Sequence, residues 1–168
     1  MAELEIEVAP EPTPALVRLR THLRSAVEVA GRLDLPVEAC TARFGDPDRL
    51  WLGPDQWLIG STTRPATEMI ESVAAGLGDQ RHHAVDFSAA LERIVLRGAP
   101  VRRLLAMGCG IDVVSLQIGA CVRTRFAGIA VVMLVREQHA FDLLVDRSYA
   151  RYLAAWLERA AGDPLVAA

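Results

Sequence analysis

The period of the apolar positions changes several times along the chain, which predicts a mixture of strands and helices. The segment RLWLGPDQWLIGS, residues 49–61, places two short aromatic and aliphatic runs around a Gly-Pro-Asp turn, and this pattern is typical of a β-hairpin. Residues 15–33 fit either one helix or a strand that leads into a shorter helix, and we favour the second interpretation. Further strands are predicted at 82–88, 93–98, 121–127, 129–136 and 140–146.

Helical spacing of three to four residues recurs between these strands. It predicts one helix from Pro65 to Gly78, a short one from Pro100 to Gly108, and a final one that begins near Ser148 as its N-cap. The final helix carries an unbroken apolar series: Tyr149, Tyr152, Leu153, Trp156, Leu157 and Ala160. Within the strand at 129–136, the run IAVVMLV is apolar at successive positions, which predicts an interior strand buried on both faces.

These elements predict an α+β fold, with amphipathic helices packed on antiparallel sheets. Residues 49–78 and 129–162 both run hairpin, loop, helix, which hints at a repeated topology without a repeated sequence. Residues 1–14 hold three prolines and four glutamates, and we expect a flexible arm there. Residues 15–168 are then predicted to form a single domain.

The composition narrows the possible chemistry. The chain has 168 residues, 52% of them hydrophobic, with a net charge of −3, and all 18 basic residues are arginine. A chain without lysine has no Schiff-base lysine and no lysine-bearing phosphate loop, although coding bias explains the absence. The arginines are scattered, so nucleic acid and anionic membranes are not predicted partners. The acidic, proline-rich N-terminus does not resemble a signal peptide, and we therefore expect a cytoplasmic protein.

No catalytic, cofactor-binding or metal-ligating residue is predicted on this chain. The cysteines form no CxxC pair, and the histidines lack metal-ligand spacing: Cys40, Cys109 and Cys121; His22, His82, His83 and His139. The sequence contains neither a GxSxG elbow nor a GxGxxG loop. The large amphipathic groups are more informative. Trp51 and Trp57 share a side parity across the hairpin turn, so they are either core residues or anchors for a partner protein.

Four groups of phrases together carry a family resemblance. They are LWLGPDQWLI; VDFS followed by IVLRGAPVRRLLAMGCGIDV; GACVRTRFAGIAVVMLV; and FDLLVDRSYARYLAAWL. In this order and at these spacings, roughly from residue 34 to residue 160, the chain resembles the gamma subunit of heterotetrameric sarcosine oxidase. It departs from that family at Gln56, where glutamate is usual, and in the final helix, where Ala154 or Ala155 replaces an aromatic residue.

The resemblance implies a subunit of a bacterial complex that oxidatively demethylates sarcosine to glycine. It implies alpha and beta flavoprotein subunits as partners, which carry FAD, FMN, NAD and the tetrahydrofolate-linked site. The gamma subunit itself is similar to a truncated aminomethyltransferase and has no assigned catalytic residues. Arg147 and Arg151 fall within the matching phrases, so together with Trp51 and Trp57 they are our candidates for the partner interface.

Two alternatives remain open. One is a subunit of a related complex that oxidises another N-methyl amino acid. The other is a stand-alone folate-binding, aminomethyltransferase-like module, in which Asp86 with Phe87, or Asp112, would have to bind the pterin ring.

Overall fold

The computed structural model describes residues 6–163 and Val166. These residues form ten strands: β1 (Glu7–Glu11), β2 (Ala15–Thr21), β3 (Ala42–Arg43), β4 (Asp48–Gly53), β5 (Gln56–Ser61), β6 (His82–Asp86), β7 (Leu91–Arg97), β8 (Cys121–Phe126), β9 (Ile129–Glu137) and β10 (Ala140–Asp146). The same residues form four α-helices: α1 (Ala26–Arg32), α2 (Ala66–Leu77), α3 (Val101–Gly108) and α4 (Ala150–Ala161). Short 3-10 turns precede α1 and α4.

The chain divides into two compact units. The middle unit is Thr13–Ala89, and the terminal unit combines the described residues of Met1–Pro12 and Ala90–Ala168. In the middle unit the antiparallel strands have the order β3-β4-β5-β2-β6. In the terminal unit the order is β1-β7-β10-β9-β8, and every neighbouring pair is again antiparallel.

Each unit has its own core beneath its helices. In the middle unit Met69, Val73 and Leu77 on α2 recur at helical spacing and are buried with Val17 and Trp57. Gly78 ends α2 with a φ of +55°, a backbone conformation that favours glycine. The core of the terminal unit joins alternate residues of β9 and β10 to one face of α4: Val131, Met133, Val135, Phe141, Leu143, Leu153 and Leu157.

Most predicted elements are present in the structure. The strand-then-helix interpretation of 15–33 is confirmed by β2 and α1, and the hairpin at 49–61 by β4 and β5. The strand β9 lies inside its sheet, and Val132 and Leu134 are buried on the face opposite the helices, as the apolar run predicts. No helix in the described part of the chain is long and apolar enough to cross a membrane.

Two predictions at the ends of elements were wrong. Residues 7–11 of the predicted flexible arm form β1, which pairs with β7 along all five residues, while residues 1–5 lie outside the described residues. Ser148 is not the N-cap of α4, because it lies inside a 3-10 turn in which Asp146 accepts its N–H, and Tyr149 precedes the helix.

Candidate functional site

The two acids that a pterin ring would require, Asp86 and Asp112, take part in local turns. Ser88 donates its N–H and hydroxyl to Asp86, which holds the pKa of that carboxyl below its ordinary value, mainly through the hydroxyl. The Ser88 Oγ in turn accepts the N–H of Leu16 on β2, so this serine links two segments of the middle unit. Asp112 accepts the N–H groups of Val114 and Ser115 in the same manner.

Two cysteines and one histidine have ordinary surroundings within their own units. Cys109 Sγ lies 3.6 Å from the hydroxyl of Thr124, and Cys121 is buried in the terminal unit. His22 Nδ1 accepts the N–H of Arg24 at the start of the first 3-10 turn. Within residues 6–163 and Val166, no group of three or more His, Cys, Asp or Glu side chains is arranged to hold a metal ion.

The two tryptophans of the hairpin are neighbours, as their parity predicts. Trp51 on β4 is the register partner of Trp57 on β5. Trp57 is only 1% exposed, and its indole N–H donates to the carbonyl of Pro36 at 2.8 Å. Trp57 therefore belongs to the core, which is one of the two alternatives given for it above. Trp51 is partly buried against the same core.

Arg147 and Arg151 remain available at the surface of the terminal unit. Arg147 Nε lies 2.8 Å from a carboxylate oxygen of Glu92, and the arginine side chain is 57% exposed. Arg151 is exposed one helical turn later and makes no ion pair with a described residue. Asp146 accepts the N–H and hydroxyl of Ser148, an arrangement that lowers the pKa of Asp146 and orients the turn from which both arginines project.

Two half-exposed tyrosines lie beside these arginines in the sequence. Tyr149 and Tyr152 continue the apolar series of α4, yet each is 50% exposed. The hydroxyl of Tyr152 donates to the carbonyl of Ala127, which fixes its ring at the surface. Arg147, Tyr149, Arg151 and Tyr152, which we call the α4 entry surface, thus present two arginines and two aromatic rings within six consecutive residues.

A network of charges lies on the face of the terminal sheet opposite to the one that packs against α4. Asp142 on β10 is 1% exposed, and it accepts from Arg93 Nε at 3.1 Å and from Arg136 Nε at 2.7 Å. Glu11 on β1 extends the network to Arg93 and Arg97, and its hydrogen bond raises the pKa of Arg97. The buried carboxylate is therefore paired, and this network holds strands β1, β7, β9 and β10 together.

The architecture of the two units defines the class of fold. It is similar to the glycine cleavage system aminomethyltransferase T from Bartonella henselae, with a TM-score of 0.72 and 13% identity, over 96% of this chain and 46% of that chain. The predicted aminomethyltransferase-like α+β fold is confirmed by this similarity. At this identity the comparison concerns the fold alone.

The family follows from the sequence. A sequence model of the sarcosine oxidase, gamma subunit family matches residues 20–163, so the chain belongs to this family. The family predicted from the four groups of phrases is therefore confirmed.

Two relatives from one bacterium agree with the family. The sarcosine oxidase subunit gamma of Corynebacterium sp. (strain U-96) is 26% identical over 110 residues, which cover 64% of this chain. The match spans about half, 53%, of that relative's length. A chain of the heterotetrameric sarcosine oxidase from Corynebacterium sp. U-96 has a similar fold, with a TM-score of 0.85 and 20% identity over 96% of this chain and 86% of that chain.

Proposed function

We propose that this chain is the gamma subunit of a heterotetrameric sarcosine oxidase, a complex that oxidatively demethylates sarcosine to glycine. The observation that carries this proposal is the family match over residues 20–163. In the complex, the chain serves assembly and leaves the chemistry to other subunits. The local hydrogen bonds of Asp86, Ser88 and Asp112 support this division of labour, because these groups stabilise turns of their own unit.

The partners in this proposal are alpha and beta flavoprotein subunits. They would carry FAD, FMN, NAD and the tetrahydrofolate-linked site, as the family resemblance implies, and this chain would carry none of them. The cytoplasm is the compartment we propose for the complex.

The α4 entry surface is the part of this chain that we propose binds a partner subunit. Tyrosine and arginine are the residue types that most often dominate the energy of a protein interface. Arg151 has a guanidinium available for a carboxylate, and Arg147 can exchange Glu92 for a partner group or bind between both. The rings of Tyr149 and Tyr152 supply apolar area at a low cost in side-chain entropy.

Co-purification tests both parts of the proposal. The full-length chain is produced together with tagged alpha and beta subunits of the same bacterium, and sarcosine-dependent oxygen uptake is measured on the purified complex. We expect wild-type chain at one copy per complex. The double substitution Arg147→Ala, Arg151→Ala should weaken association by about tenfold or more, because truncation of an interface hot spot costs more than about 1 kcal/mol.

The matched control replaces two exposed, ion-paired arginines of the middle unit, Arg20 and Arg32, with alanine. The control should retain full association. If the Arg147 and Arg151 variant co-purifies as well as this control, the α4 entry surface is not the interface. If the wild-type chain itself does not join the complex and its omission leaves activity and stability of the complex unchanged, the role as a subunit is refuted.

The fold similarity to an aminomethyltransferase keeps one other function in view, a stand-alone folate-binding module. Titration of the isolated full-length chain with tetrahydrofolate by calorimetry distinguishes the two functions. Heat of binding at micromolar ligand would favour the folate-binding module, whereas we expect none. A comparison of sarcosine with other N-methyl amino acids as substrates of the purified complex tests whether a related amine is oxidised instead.

A further inference from the structure

The middle unit contains a cleft of about 150 Å³. Strand β4, strand β5, helix α2 and the loops beside them all contribute to its lining. Five of the lining residues are apolar: Leu33, Pro47, Ile59, Met69 and Val73. The other three are Arg49, Arg64 and Ser72, so two guanidinium groups adjoin a largely apolar cleft.

Arg49 is unusual because it lies on the side of the sheet that faces the core. Its register partner on β5 is Ile59, which is buried among the residues packed beneath the helices. Arg49 is partly buried there. Its one hydrogen bond to the described residues is donated by Nη1 to the carbonyl of Pro47, at 3.4 Å. A guanidinium has five N–H donors, so most of those of Arg49 make no hydrogen bond to a described residue. A partly buried guanidinium without a carboxylate partner attracts an anion, because a partly buried pair is screened less by salt and water than an exposed one.

Arg64 is the second cation of the cleft, and it is held in place. Its Nη2 donates to the hydroxyl of Ser72 at 2.6 Å, while its Nε lies 3.8 Å from the nearest carboxylate oxygen of Glu68. That distance leaves a weak ion pair. Asp46, the acid that precedes Pro47, accepts the hydroxyl of Thr62 instead.

We propose that this cleft binds a small aliphatic carboxylate. The carboxylate accepts from Arg49, with Arg64 as the second cation, and the hydrocarbon part lies against Ile59, Met69 and Val73. The size suits such a ligand, because an apolar cavity of about 150 Å³ accommodates a molecule of benzene's size. The probe we choose is 3-methylbutanoate, a branched acid with one carboxylate and a four-carbon hydrocarbon part. The inference does not depend on the role proposed for the chain in assembly.

The four methionines allow a direct test in the full-length chain. Met69 lines the cleft, whereas Met107 and Met133 belong to the terminal unit. The chain is labelled with ¹³C in its methionine methyl groups, and the methyl spectrum is recorded while 3-methylbutanoate is titrated. Unlabelled partner subunits are added if the chain requires them to stay folded. We expect the Met69 signal to shift to saturation with a Kd on the order of 1 mM, while Met107 and Met133 stay in place.

Three comparisons establish whether the charge and the apolar walls both matter. The uncharged 3-methylbutanamide and the variant Arg49→Gln should each bind at least about tenfold more weakly, the effect of losing a charge-assisted hydrogen bond. Arg24→Gln, at an exposed arginine of the same unit that does not line the cleft, should bind as the wild type does. Inorganic phosphate, which has no apolar part, should leave Met69 unshifted.

Absence of a Met69 shift at 50 mM 3-methylbutanoate overturns the proposal, as does equal binding of the amide or of phosphate. Unchanged binding in Arg49→Gln also overturns it. The Met69 signal of the ligand-free variant, at its wild-type chemical shift, reports whether the middle unit is folded, because Met69 is buried in the core of that unit. The amide comparison uses wild-type protein, so the proposal stays testable even if Arg49→Gln does not fold.

Discussion

Individual arginines in this chain have roles that lysine would fill poorly. Arg93 approaches Asp142 with two nitrogens, Nε at 3.1 Å from one carboxylate oxygen and Nη2 at 3.4 Å from the other. Arg136 adds a third hydrogen bond to the same buried group. A planar guanidinium can bridge both oxygens of a carboxylate, whereas an ammonium acts as a point charge. The geometry around Asp142 therefore depends on arginine.

Replacement of Asp142 tests how much this network contributes to stability. Asp142→Ala leaves the positive charges of Arg93 and Arg136 facing an apolar gap, and we expect a loss of about 3 kcal/mol in the free energy of unfolding. Urea unfolding followed by circular dichroism measures this loss. Glu92→Ala, which removes the exposed partner of Arg147, should cost less than about 1 kcal/mol. Equal losses in the two variants would mean that burial does not strengthen the Asp142 network.

For single residues, the sequence predicted which side chains are neighbours better than it predicted which side chains are buried. Parity along the hairpin correctly paired Trp51 with Trp57. Which of the two is buried depends on the carbonyl of Pro36, 21 residues away, to which Trp57 donates, and local spacing does not reveal such a contact. Tyr149 and Tyr152 match the apolar period of α4, and only the hydroxyl of Tyr152, which bonds to Ala127 at the surface, distinguishes it from a core residue.

The packing of helix α3 against its neighbours depends on one glycine. A Cβ at Gly108, the last residue of α3, would lie 2.9 Å from the ring of Phe126 and 3.0 Å from that of Trp156. These two rings already contact each other edge to face, with their centroids 5.0 Å apart. The close approach of α3 therefore requires a residue without a side chain.

Alanine substitutions at two helical glycines test this packing. Gly108→Ala should destabilise the protein by about 1–3 kcal/mol, since an added methyl group overpacks a core. Gly31→Ala, in α1, meets no atom within 4 Å and should stabilise by about 0.5–1 kcal/mol through helix propensity. Thermal unfolding measured by calorimetry gives both signs. A stabilising Gly108→Ala would contradict the tight contact among α3, Phe126 and Trp156.

The elements that the sequence missed are short and lie at sheet edges. Strand β3 has two residues, too few for any alternation of apolar and polar positions to show. Strand β1 contains Pro10, which argues against an interior strand but is tolerated at an edge, and β1 is the edge of its sheet. Long strands such as β9 and β10 were predicted almost to the residue, because their own apolar pattern is sufficient.

Across the whole molecule, the two units have the same topology. The middle unit runs β2-α1-β3-β4-β5-α2-β6, and the terminal unit runs β7-α3-β8-β9-β10-α4. Their sheets match strand for strand when β1 takes the place that β6 occupies in the middle unit. The hairpin–loop–helix repeat that the sequence hinted at is therefore a repeat of complete units. The edge strand of the terminal sheet, β1, comes from the start of the chain, and no local pattern could predict its pairing with the distant strand β7.

Because β1 pairs with β7, the stability of the terminal unit depends on a segment that is remote in sequence. Deletion of residues 1–11 removes β1 and therefore its pairing with five residues of β7. It also removes the buried side chain of Ile6 and the ion pairs of Glu11 with Arg93 and Arg97. We expect amides of β7 that donate to β1 to lose their protection from hydrogen exchange, while amides shared by β2 and β6 in the middle unit keep theirs. Hydrogen exchange followed by mass spectrometry on peptic peptides measures both sets of amides in one experiment. The control is a deletion of residues 1–5 alone, which leaves every described residue in place. Protection of β7 that survives the longer deletion would show that β1 is dispensable, and loss in both units alike would show that they unfold together.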